Sequence, residues 1–200
     1  MANVIKNHTL FPTIISEFEY IANENLLNAI RAEELYSPSN NLSGRSVNSN
    51  LQKKKEFEQL VNKILNTTKE ICELYEYEYK SIEITGLWIN IAKDRDFHSP
   101  HTHSNNIFSG VWYPIECKEK SIMFLDPRPQ SDQWTPKKRK TNDYTTNPVS
   151  FPNKRNLGLI FPSWLMHYVP PAAGNRVSMS WNILIRGNYG QPDTLQNASI

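Results

Sequence analysis

The chain has 200 residues and a mass of 23.2 kDa, enough for one domain with a substantial core. Its 38% apolar content, 21% charged content and mean hydropathy of -0.58 set aside disordered and collagen-like classes, and no run reaches the roughly 18 apolar residues of a membrane span. Charge nearly cancels, 22 basic against 20 acidic residues, so a protein that coats a polyanion by charge alone is excluded.

Met1 to Tyr20 holds one lysine and a short apolar patch broken by Pro12, unlike a signal peptide. Cys72 and Cys117 are too few for a disulfide scaffold, so the expected compartment is the cytoplasm. Residues 4–20 mix aromatic and β-branched side chains and read as one or two strands. Leu26, Leu27 and Ile30 then recur at helical spacing and predict a short helix from Asn25 to about Leu35. Residues 37–50, rich in Ser and Asn, read as a loop. A stronger helix is expected between Lys54 and Tyr77, where Phe57, Leu60, Val61, Ile64, Leu65, Ile71, Cys72 and Tyr75 form one apolar stripe. From Ser81 the period falls to two. Strands are expected at Ser81 to Ala92, Ile107 to Tyr113, Ser121 to Leu125, Leu157 to Phe161, Trp164 to Val169 and Arg176 to Arg186. Residues 126–156 read as one long insert and Gly187 to Ile200 as a frayed tail. Helices followed by strands make the chain α+β, a single domain (1–200) whose residues 1–80 support a sandwich or barrel over 81–186.

Three of the five histidines fall in His98-Ser-Pro-His101-Thr-His103. Neutral imidazole offers a lone pair to metals, and residues i and i+2 of an extended chain project to one side, so His101 and His103 can converge on one ion. His98, at odd separation, can join only from a bent loop. His167 lies in an otherwise apolar segment, and Arg176 follows nine positions later. Alternation places Arg176, Ser178, Ser180 and Asn182 on one strand face. If that face turns inward, the buried guanidinium needs an anion, and its planar fork suits a carboxylate.

These residues carry a resemblance. His101-x-His103, Ser109-Gly-Val-Trp-Tyr113, Phe124-Leu-Asp126-Pro-Arg128, Phe161-Pro-Ser-Trp-Leu-x-His167 and Arg176-x-Ser178-x-Ser-x-Asn182, in that order, resemble the 2-oxoglutarate and Fe(II)-dependent oxygenases. More narrowly they resemble a small group common in marine bacteria and their phages, and prolyl hydroxylases share the His-to-Arg step. The resemblance implies a double-stranded β-helix, a jelly-roll or cupin-like barrel with the N-terminal helices packed on one sheet. It also implies Fe(II) held by His101, His103 and His167. Arg176 and Ser178 would bind the far carboxylate of 2-oxoglutarate, and dioxygen would be consumed as the co-substrate is decarboxylated to succinate and a substrate is hydroxylated. Asn90, Tyr113 and Asn182 stand where such enzymes bond the co-substrate. Position 103 departs from the pattern, which has Asp or Glu there; a neutral third ligand leaves the iron its full double charge.

Some residues keep two readings. Asn90 and Tyr113 can equally be buried polar groups satisfied locally. Asp126 and Arg128 can touch substrate at the rim or form a salt bridge that closes the loop. The basic run Lys137 to Lys140, flanked by Trp134 and Tyr144, either faces solvent or steers a nucleotide, nucleic acid or acidic peptide. The expected partner is a small-molecule or peptide substrate, with no membrane. Two rival functions remain: a three-histidine iron dioxygenase that does not use 2-oxoglutarate, and a non-catalytic jelly-roll binding protein.

Overall fold

The structure is a computed structural model that describes residues 5–38, 42–128, 133–142, 144–191 and 193–200. Strand β1 (Ser16–Glu19) leads to helix α1 (Glu24–Ala32), which starts where the Asn23 side chain accepts a hydrogen bond from the Leu26 amide. The helix stops at Ala32, short of the expected Leu35, because Glu33 is extended and the chain enters a hairpin of β2 (Leu35–Tyr36) and β3 (Gly44–Ser46). Two short 3-10 turns precede α2 (Glu58–Leu74), which buries Leu60, Ile64, Ile71 and Cys72 as its stripe requires.

The remaining strands are β4 (Ser81–Ala92), β5 (His98–His101), β6 (Phe108–Trp112), β7 (Cys117–Phe124), β8 (Val149–Asn153), β9 (Leu157–Pro162), β10 (His167–Val169) and β11 (Arg176–Arg186). They fold into a seven-stranded sheet of order β1-β9-β6-β11-β4-β3-β2 and a four-stranded sheet of order β5-β10-β7-β8, with every named pairing antiparallel. This is the expected double-stranded β-helix with helices on one side of the larger sheet. One core lies between helices and sheet, where Leu60, Ile64 and Cys72 meet Leu87, Ile89, Met179 and Trp181. A second fills the space between the sheets, with Val111, Tyr113, Ile122, Phe124, Leu159 and Phe161. Among the described residues no helix is long and apolar enough to cross a membrane.

Four expectations need correction. The insert is not one loop, since β8 pairs with β7 inside it. The Ser/Asn-rich segment holds β3. Trp164 to Met166 is a turn, and only His167–Val169 is strand. The tail is not frayed: Asn188–Tyr189 pairs with Ala198–Ser199. Short ladders of two to five residues carry too little alternation to be distinguished from loops.

Candidate metal centre

β4 and β11 pair along their whole lengths, with Arg176 opposite Ala92, Ser178 opposite Asn90 and Ser180 opposite Trp88. Opposed residues share a face, so this polar row looks away from the helices and into the space between the sheets. The facing sheet supplies the histidines. β10 pairs with β5 so that His167 stands directly opposite His101, and the chain then bends to bring in His103, whose amide donates to the Ser163 carbonyl at 2.9 Å.

The three imidazoles form one cluster. The ligand atoms of His101, His103 and His167 all lie within 4.8 Å of one another, and ring centroids are separated by 4.4 Å (His101 to His167), 5.1 Å (His101 to His103) and 5.2 Å (His103 to His167). His101 Nδ1 sits 2.7 Å from the Ser99 carbonyl oxygen and His167 Nδ1 sits 2.9 Å from that of Leu165. A carbonyl only accepts, so Nδ1 of each carries the proton and Nε2 presents its lone pair. Burial drives the His103 pKa down to about 4, with the nearby His101 charge adding to it. Burial likewise takes His167 down to about 3, against the pull of its bond to Leu165 and with help from His101, His103 and Arg176. Both rings are therefore neutral at physiological pH, the form that binds metal.

Beside the cluster is a group of polar atoms with nothing to bond. Arg176 is 2% exposed, and its Nε and Nη1 are buried without a partner, as are Ser178 Oγ and Tyr113 Oη. The guanidinium lies 5.2 Å from the Tyr113 ring centroid. Buried polar groups are almost always paired, and a lone buried cation is costlier still. An anion is the kind of partner that such buried donors lack.

A cavity of about 100 Å³ connects the histidines with Arg176 and is lined by His101, His103, His167, Arg176, Asn90 and Trp88 among others, while Ser178 and Tyr113 lie behind its wall. Asn90 reaches it but is also satisfied locally, accepting from Trp88 Nε1 at 3.1 Å and donating to Ser180 Oγ at 2.8 Å. Asn182 does not line the cavity; its Oδ1 accepts from Ser109 Oγ at 2.9 Å, and Ser109 in turn meets Ser163 at 2.8 Å. His98 lines the cavity without joining the ligand cluster. Trp88 and Ser180 complete the wall, and their signal in the sequence was the alternation they share with Asn90 and Arg176. Asp126 accepts from Arg128 at 2.9 and 2.6 Å, the loop-closing pair. Among the described residues no carboxylate joins the histidines. The basic run Lys137 to Lys140 is exposed, with Lys138 Nζ donating to the Thr145 carbonyl.

Comparison with known proteins agrees with this architecture. Residues 86–182 match the family described as "Putative 2OG-Fe(II) oxygenase". No curated protein sequence matches the chain. Among solved structures, the chain is similar to a 2OG-Fe(II) oxygenase family oxidoreductase from Burkholderia pseudomallei, at TM-score 0.61 and 11% identity over 85% of this chain and 84% of that one. A Pseudomonas putida prolyl-4-hydroxylase gives 0.58 and 13% over 86% and 93%. HygX from Streptomyces hygroscopicus, solved with nickel, 2-oxoglutarate and hygromycin B, gives 0.57 and 9% over 86% and 82%. At these identities the likeness is one of fold.

Proposed function

We propose, from the match of residues 86–182 to the 2OG-Fe(II) oxygenase family, that the chain is a 2-oxoglutarate-dependent dioxygenase that hydroxylates a small-molecule or peptide substrate. His101, His103 and His167 hold Fe(II), and Arg176, with Ser178 and Tyr113, holds the far carboxylate of 2-oxoglutarate. The residues fit both groups: neutral imidazoles offer nitrogen lone pairs to a divalent ion, and the unpaired donors beside them complement a carboxylate. HygX binds nickel and 2-oxoglutarate on the same fold, which supports carrying that pair of ligands to this site.

When bound, iron and 2-oxoglutarate supply the oxidising power, with the keto acid decarboxylated to succinate and dioxygen consumed. The protein's own part is binding and orientation. The Ser99 and Leu165 carbonyls fix the tautomers of His101 and His167 and aim Nε2 inward. Arg176 and Ser178, two residues apart on a strand paired with β4 at both positions and with β6 from Met179 onward, set the depth at which the carboxylate rests. Phe161 and Phe124, packed 4.8 and 5.9 Å from the His167 ring, keep water from that ligand. Asn90, tied to Ser180 and Trp88, shapes the wall without carrying charge.

The observation that carries the reading is the buried, unpartnered Arg176 guanidinium one strand face away from three convergent histidines. A three-histidine dioxygenase without a co-substrate has no use for such a cation, and neither has a binding protein whose histidines only order a loop. The test is calorimetric titration of 2-oxoglutarate into metal-loaded protein. Arg176→Leu is expected to weaken binding by about 2–5 kcal/mol, the scale of removing one partner of a buried charge pair. Equal affinity in the variant contradicts the assignment.

A further inference from the structure

The sheet that carries Ser178 and Asn90 continues beyond the cavity. β3 extends it past β4 with Arg45 opposite Asn90, and β2 extends it again with Tyr36 opposite Arg45. Ser178 stands opposite Asn90 on the other side. Since directly opposed residues of antiparallel strands project from one face, a single row runs Ser178, Asn90, Arg45, Tyr36. It passes from a side chain with 0% exposure to one with 58%. At roughly 4.8 Å per strand, the Arg45 backbone is about 10 Å from that of Ser178. The hairpin is also tied to the segment that leads into the histidines. Leu42 bridges to Phe97, and Ser43 donates to the Phe97 carbonyl from its amide at 3.1 Å and from Oγ at 3.2 Å.

Arg45 is exposed, and among the described residues neither an ion pair nor a hydrogen bond engages its guanidinium. Arg128 is already committed to Asp126, and Arg95, ahead of the histidines, lies 3.9 Å from Asp94. Tyr36 stands opposite Arg45 on one side and Asn90 opposite it on the other, and Trp88, two residues from Asn90 on the same face, lines the cavity. A cation in a row that also carries aromatic side chains, fixed by a β ladder rather than a loose loop, is complementary to an anionic group on an apolar body.

We propose that this shelf is the substrate platform and that the substrate is a small carboxylic acid with an apolar or aromatic body. Its carboxylate pairs with Arg45, its body lies along Tyr36 and Trp88, and its far end enters the cavity. The inference deepens the proposed function and rests on it, because Arg176 must be occupied by 2-oxoglutarate for Arg45 to be the cation that reads substrate.

The test uses hippurate, an aromatic carboxylate, and its neutral amide hippuramide. Each is titrated calorimetrically into protein loaded with Zn(II), as a redox-silent metal, and saturated with 2-oxoglutarate. Hippurate is expected to bind at least roughly tenfold more tightly than hippuramide, the size of one charge-assisted contact at an exposed rim. Arg45→Gln should abolish the preference, Arg45→Lys should keep part of it, and Tyr36→Ala should weaken acid and amide alike. Equal binding of the two probes, a preference that survives Arg45→Gln, or wild-type protein that binds 2-oxoglutarate but neither probe overturns the shelf alone. Wild-type protein that fails to take up 2-oxoglutarate overturns the proposed function and the shelf with it.

Discussion

His101 and His103 reach one point because the chain is extended between them, and His167 meets them because β10 runs beside β5. The first relation is written in an i, i+2 spacing; the second depends on a register that no local pattern contains. If these rings are ligands, the protein should purify or reconstitute with about one Fe(II) per chain, and His101→Ala or His167→Ala should lose it, as expected when a three-ligand site drops to two. Metal analysis that finds full iron in either variant contradicts the ligand set. The same rings predict a pH effect on the metal-free protein. Folding holds His103 near 4 and His167 near 3, below the ordinary value of about 6.5. Between those limits the unfolded chain takes up protons that the folded chain refuses, so stability is full above about pH 7 and falls as pH drops from 6.5 toward 4. Urea midpoints at pH 7.5 and pH 5 should show the loss, and equal midpoints would mean the rings are not buried neutral. Asn182 shows where residue-level reading stopped: it shares a strand face with Arg176, yet Ser109 on β6 engages it, a neighbour visible only once strands are paired.

β11 was legible to the residue because eleven consecutive positions alternate without interruption. β4 was legible in its bounds, although its alternation changes phase at a bulge by Thr85, which sets Ile84 in the same core as Leu87 and Ile89. β8 escaped notice for a physical reason. It contains Pro152, which a central strand rejects, and it survives as the outer edge of its sheet where no ladder bond is needed on one side. The close fit of β6 against β11 gives a sharper test. Gly110 faces Trp181, and a Cβ at position 110 would collide with the indole. Gly110→Ala should therefore cost about 1–3 kcal/mol by overpacking, measured as a shift in urea unfolding. An unperturbed midpoint would show that the indole has room to move.

The helices and the larger sheet share one core, so the face of the sheet opposite the site is supported by residues far from any chemistry. Leu60, fully buried on α2, belongs to that support, and Leu60→Ala should destabilise the protein by about 2–5 kcal/mol, the usual range for a deleted core side chain. Thermal or chemical unfolding with an unchanged midpoint would place α2 outside the cooperative unit. The α+β order, the barrel and the two ends of the site were readable from periodicity and from motif order. The hairpin of β2 and β3 was not, because strands of two and three residues have no period to read. The most direct measurement of the whole account is succinate formation on incubation with Fe(II), ascorbate and 2-oxoglutarate, compared between wild type and Arg176→Leu. Wild-type protein should make succinate even without added substrate, and the variant should make at least roughly tenfold less at the same 2-oxoglutarate concentration. Iron-loaded wild type that makes none, or a variant that makes as much, contradicts the pairing of a three-histidine iron site with a buried carboxylate-binding arginine.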